Sequence, residues 1–151
     1  TTLASTAVGT AGGSLEVPNP LPATGPYTIL VRPGGPYTGN MTLTLSTEVA
    51  DSLKMNAAPR QIMISRAGQN GRYTFAGTAN QQVTIKATNN KLGNVTVNLY
   101  TPSGVLQAGA TSSAGSFNLS PVILATTDTY TITINPAMTD TGSIQLQVAN
   151  P

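Results

Sequence analysis

An internal repeat limits what this chain can fold into more than any other feature. Residue n matches residue n + 103 across 20–45 and 123–148, without a gap. Leu21 meets Leu124, Tyr27-Thr28-Ile29 meets Tyr130-Thr131-Ile132, and Val31 meets Ile134. Pro33 then meets Pro136, Thr38-Gly39 meets Thr141-Gly142, and Leu43 meets Leu146. Further upstream, Leu3 stands opposite Leu106. A fixed period marks a unit that recurs as a structural block. On this register the chain reads as a second half-repeat (1–48), a first half (about 49–103) and another second half (about 104–151). The expected division is therefore a partial domain at 1–48, a linker at 49–60 around Asp51, Lys54 and Pro59, and a full domain at 61–151.

Apolar residues alternate with polar ones through both copies. Tyr27, Ile29 and Val31 form one such run, and Met41, Leu43 and Leu45 another. The pattern recurs at Val83–Ala87, Val95–Leu99, Tyr130–Ile134 and Ile144–Val148. Period two with one apolar face is the signal of half-buried, antiparallel strands. Shorter strands are expected at 61–65, 72–76, 105–110 and 116–119. Turn residues separate the runs, as at Pro33-Gly34-Gly35-Pro36 and Pro102-Ser103-Gly104. Only 46–56 has room for a turn or two of helix. Many short strands with frequent turns imply an all-β fold, an antiparallel, jelly-roll-like β-sandwich.

Composition removes most function classes. Charged residues are 8% of the chain and the net charge is +2, with no Lys/Arg cluster to track a phosphate backbone. Nucleic acid is therefore not an expected partner. Histidine and cysteine are absent, which removes the usual general base and the thiolate and imidazole ligands of zinc. Five acidic residues, Glu16, Glu48, Asp51, Asp128 and Asp140, are scattered. The sequence points to no enzyme, no metal site and no cofactor. No apolar run reaches the roughly 20 residues of a membrane helix. The opening Thr1-Thr2-Leu3 carries no leader pattern, as in a processed secreted protein.

Two motifs, Y-T-I-x-[VI] and T-G-x-[MI]-x-L-x-[LV], stand at Tyr27–Leu45 and again at Tyr130–Val148. With Gly68-Gln69-Asn70, Phe75–Ala79 and Asn94–Tyr100, they resemble the β-sandwich repeats of large secreted bacterial surface proteins, including those ahead of Rhs/YD repeats. They are also similar to the bacterial pre-peptidase C-terminal domain. The resemblance covers about 57–151 as one unit and 1–48 as part of another. It implies an extracellular or cell-surface location and a structural or accessory role. Some pre-peptidase-type domains hold calcium in clustered acidic loops, and this chain lacks such clusters.

The half-repeat at 1–48 carries the functional expectation. Tyr27, Ile29, Val31, Met41, Leu43 and Leu45 form an inward-facing pattern, with Leu3, Leu15 and Val17 upstream. Burying each of the first six is worth roughly 1.5–3 kcal/mol, an upper bound for a chain that is already compact. Such strands need completion by upstream sequence, by 49–103 of the same chain, or by a neighbouring copy. The expectation is the third: a homopolymeric bacterial surface filament built by inter-subunit strand complementation. The alternatives are a spacer or stalk, or a carbohydrate- or surface-binding module. Three Asn-x-Ser/Thr sequons make Asn40, Asn94 and Asn118 candidate glycan acceptors. Lys86, on the polar side of its strand, reads as solvated rather than as an isopeptide donor. Tyr37 and Tyr100 are the aromatics expected to be open to a ligand.

Overall fold

A computed structural model describes residues 1–17 and 20–151. Ten strands follow in order: β1 (Val49–Ser52), β2 (Arg60–Ile64), β3 (Gly71–Gly77), β4 (Gln82–Thr88) and β5 (Val95–Tyr100). Then come β6 (Leu106–Ser112), β7 (Phe117–Asn118), β8 (Val122–Ile123), β9 (Asp128–Pro136) and β10 (Gly142–Ala149). One sheet has the order β1-β3-β9-β5-β6. The other has β2-β10-β4-β7, with β8 also on β4. All pairings are antiparallel except β1 with β3. Without β1, the two four-stranded sheets are the nested pair of a jelly roll.

The alternation does what period two requires. In β5, β9 and β10 every second residue points between the sheets and the others face out. Ile132 lies between Tyr73 and Leu99, and Ile134 between Gly71 and Val97. From the other sheet come Ile62, Ile64, Val83, Ile85, Ile144, Leu146 and Val148, all buried. Tyr130 stacks on Phe75, ring centroids 5.6 Å apart, at the end of the core where Gly77 leaves room for it.

The two halves interleave completely. Among the described residues, β6 to β10 pair only with strands of β2 to β5, never with one another. β9 sits between β3 and β5, and β10 between β2 and β4. The half boundary falls in the turn after β5, where Gly104 takes φ +82° and its amide bonds the Thr101 carbonyl.

This interleaving explains the largest departure from expectation. The runs 27–31 and 41–45 form no strand, and the described part of 1–48 contains only an isolated bridge between Gly9 and Gly12. A second half has no strand of its own to pair with, and the 49–103 half is already filled by 104–151. In place of the expected partial sandwich, the described residues of 1–48 form an arm that makes no ladder with the 49–103 half. The expected linker at 49–60 is also corrected. It holds β1 and the core residue Leu53, whose amide bonds the Thr74 carbonyl. The sandwich therefore begins at Val49, and 46–56 holds β1 and a turn at Met55-Asn56 rather than a helix. Among the described residues no helix is long and apolar enough to cross a membrane.

Candidate functional site

The arm is the part of the molecule whose chemistry is unmet. Tyr27, Ile29, Val31, Met41, Leu43 and Leu45 are all exposed, from 44% at Tyr27 to 80% at Leu45. Their counterparts Tyr130, Ile132, Ile134, Ile144, Leu146 and Val148 are at most 1% exposed. Leu15 and Val17 are exposed, and Leu3 is half-buried. Leu15 and Val17 run one residue out of step with the repeat. Shifted by that residue, they match Phe117 and the buried Leu119. The half-repeat expected at 1–48 includes Pro18 and Asn19, which lie outside the described residues.

Two local features of the arm repeat those of the folded half. In the sandwich, the Tyr130 hydroxyl donates to the Thr126 carbonyl at 3.0 Å and accepts from the Thr126 amide at 3.2 Å. In the arm, the Tyr27 hydroxyl donates to the Ala23 carbonyl at 2.5 Å and accepts from the Ala23 amide at 3.2 Å. Both are tyrosine corners, a device that fixes a chain turn at the entrance to a sandwich strand. They occur at equivalent positions of the repeat.

The second feature is Gly142, held at φ +147°. A Cβ there would lie 2.3 Å from the Lys91 carbonyl oxygen of the first half. Its counterpart Gly39 has nothing within 4 Å. The arm thus carries a glycine at a contact whose other side is missing. The repeat shows that this glycine's counterpart meets residue 91.

Elsewhere the surface offers little chemistry. A groove of about 240 Å³ runs between Glu16 and Val17 of the arm and the outer face of β3, β5 and β9. Arg72 and Tyr100 line it, with Asn98 and Asn135. Arg72 is committed to Glu48, donating from Nε at 2.8 Å and Nη2 at 3.2 Å. That bond, ahead of the opposing cost of burial, holds the guanidinium above its ordinary value. The groove is smaller than the roughly 300–1,000 Å³ of small-molecule pockets. Tyr37 stands exposed, away from this lining.

Among the described residues no three His, Cys, Asp or Glu side chains gather as a metal site would need. Asn40, Asn94 and Asn118 are all exposed. Lys86 is half-exposed in β4, between Gln147 and Asn118 in the ladder. The two lateral edges of the sandwich differ. The β1/β2 side carries Glu48, Asp51, Lys54 and Arg60, with an ion pair between Arg60 and Asp51. Residues 92–127, which build β5 to β8, carry no charge at all.

No family model matches the sequence, and no curated protein matches it. The fold does match solved structures. The pre-peptidase C-terminal domain of a collagenase from Bacillus anthracis superposes with a TM-score of 0.55 at 15% identity. The match covers 67% of this chain and 95% of that domain. A periplasmic inhibitor of g-type lysozyme from Aeromonas hydrophila, PliG, matches with a TM-score of 0.46 at 13% identity. It covers 67% of this chain and 98% of the inhibitor. The sandwich is therefore similar in fold to a pre-peptidase C-terminal domain.

Proposed function

We propose that this chain is a non-enzymatic structural module of an extracellular bacterial filament or stalk. The modules are joined by β-strand complementation through the arm at 1–48. One observation carries the reading: a complete sandwich is attached to a second strand-patterned half that has no partner in it. An unpaired run of this kind recruits strands, because its amides and carbonyls are unmet and its apolar face is wet. The likeness in fold to the pre-peptidase C-terminal domain of a collagenase supports an extracellular or envelope setting. The neutral Thr-, Ser- and Asn-rich surface suits side-by-side packing. A ligand-binding role has less support, since the groove is small and its one cation is engaged by Glu48.

The test compares the full chain with a 49–151 variant, which retains every strand of the sandwich. Sedimentation and negative-stain microscopy are run on both at neutral pH over a wide concentration range. The full chain is expected to associate with rising concentration and 49–151 to stay monomeric. A full chain that stays monomeric throughout, like its shortened form, overturns the reading.

A further inference from the structure

Resting on that reading, the structure assigns the arm a specific partner: a first half-repeat of the 49–103 type, additional to the one in this sandwich. The argument starts from pairing. Every strand of the second half is hydrogen-bonded to first-half strands alone. An arm with the second-half pattern therefore folds only against a first half. The one within 1–151 is filled by 104–151. A set of identical chains holds two second halves for each first half, so exchange among them always leaves one second half per chain unfilled, and the association it drives stays incomplete. The arm needs another first half, from a preceding unit of the same polypeptide or from a different chain.

The register of that partner follows from the repeat. Tyr27–Val31 takes the place of β9, between strands equivalent to β3 and β5. Met41–Leu45 takes the place of β10, between equivalents of β2 and β4. The partner's equivalent of β3 needs a small residue at the position of Gly77, where a Cβ would meet Leu124 Cδ1 at 2.3 Å and the arm has Leu21. At the Gly71 position the demand is looser, because the nearest atom there is Ile134 Cδ1 at 2.9 Å and Val31 has no Cδ. The partner needs an aromatic at the Phe75 position to cover the Tyr27 ring, as Phe75 covers Tyr130. It also brings a carbonyl, like that of Lys91, up to Gly39. The repeating unit is then 1–103, with each sandwich shared by two consecutive units.

The experiment supplies the partner in phase. A second copy of 49–103 is added ahead of the full chain, its last residue joined directly to Thr1, which follows the register of Ser103-Gly104. Amide hydrogen exchange is read by segment. The expected result is protection of 27–31 and 41–45 rising at least a hundredfold, to the level of β9 and β10. The concentration-dependent association is lost at the same time. Arm amides that stay unprotected while β9 and β10 remain protected overturn the inference. The association of the unmodified chain, read separately, still decides the functional reading. Tyr27→Phe in the extended chain guards against non-specific collapse. It should lower arm protection and leave β9 unchanged, and an arm indifferent to the substitution also counts against the inference.

Discussion

The same substitution at two positions of the repeat should have very unequal consequences. Ile132 has no exposed surface and lies between Tyr73 and Leu99 in the ladder. Ile132→Ala removes three buried carbons, worth about 2.4 kcal/mol of transfer free energy at roughly 0.8 kcal/mol each. The neighbouring strands are pinned on both sides and cannot close the gap, so a cavity term brings the total to about 3–4 kcal/mol. With a urea m-value of about 1–3 kcal/mol/M, the midpoint of the sandwich should fall by roughly 1–4 M. Ile29, its counterpart, is 63% exposed. Ile29→Ala should move the midpoint by an amount worth less than about 0.5 kcal/mol. Urea titrations followed by far-ultraviolet circular dichroism, at concentrations where the chain is monomeric, read both variants. Equal costs at the two positions would show that the arm already packs as β9 does, and would refute the account of an unfilled half.

Gly142→Ala puts a methyl 2.3 Å from the Lys91 carbonyl at φ +147° and should lower stability by more than about 2 kcal/mol, whereas Gly39→Ala should leave the melting temperature unchanged. Asn90 ties the loop after β4 to the loop after β6. Its Nδ2 donates to the carbonyls of Gly93 and Ala114 and its Oδ1 accepts from the amide of buried Leu92, so Asn90→Ala should cost about 2–3 kcal/mol in a denaturant titration. Burial raises the Tyr73 hydroxyl above its ordinary value, with Arg60 opposing and Asp51 reinforcing the shift. Its folded-state pKa is the higher one. The contribution is therefore complete below about pH 10 and lost as pH rises through the folded value, so stability measured by pH-jump unfolding should fall on the alkaline side and Tyr73→Phe should flatten that fall.

The alternation of polar and apolar residues made β2 to β7, β9 and β10 legible in the sequence, because half-buried antiparallel strands must alternate. It stated which face of Tyr27–Val31 would be buried. It could not state whether a partner was there to bury it, since Tyr27 and Tyr130 carry the same local signal. β1 was missed because its pairing is parallel, its span is four residues, and its side chains are mostly exposed. Leu53 and Leu92 are core residues outside strands, and Asn90 works through loop carbonyls, so no periodicity marks them. The tyrosine corner was within reach of the sequence. A tyrosine opening an alternating run in both halves is its signature, and the hydroxyl bonds to Ala23 and Thr126 give it a structural meaning.

The way the halves interleave bears on what a junction between modules would withstand. Ordinary neighbouring domains meet across a surface patch of about 600–1,500 Å² and separate without unfolding. A jelly roll divided between units has no such patch. β9 and β10 each carry a first-half strand on both sides, so separating the halves breaks the central ladders of both sheets and exposes the whole core. The resistance of the joint then equals the unfolding barrier of a domain, not the dissociation barrier of an interface. Separation is governed by the rate of unfolding, which for small domains reaches time scales of hours to days. A chain with no disulfide, no metal cluster among its described residues and only two surface ion pairs there has few other means of holding a linear assembly together. In the proposed arrangement, shared sandwiches would provide that cohesion through the hydrophobic core and the strand ladders, and the glycine, corner tyrosine and alternating face of the arm fit such a role.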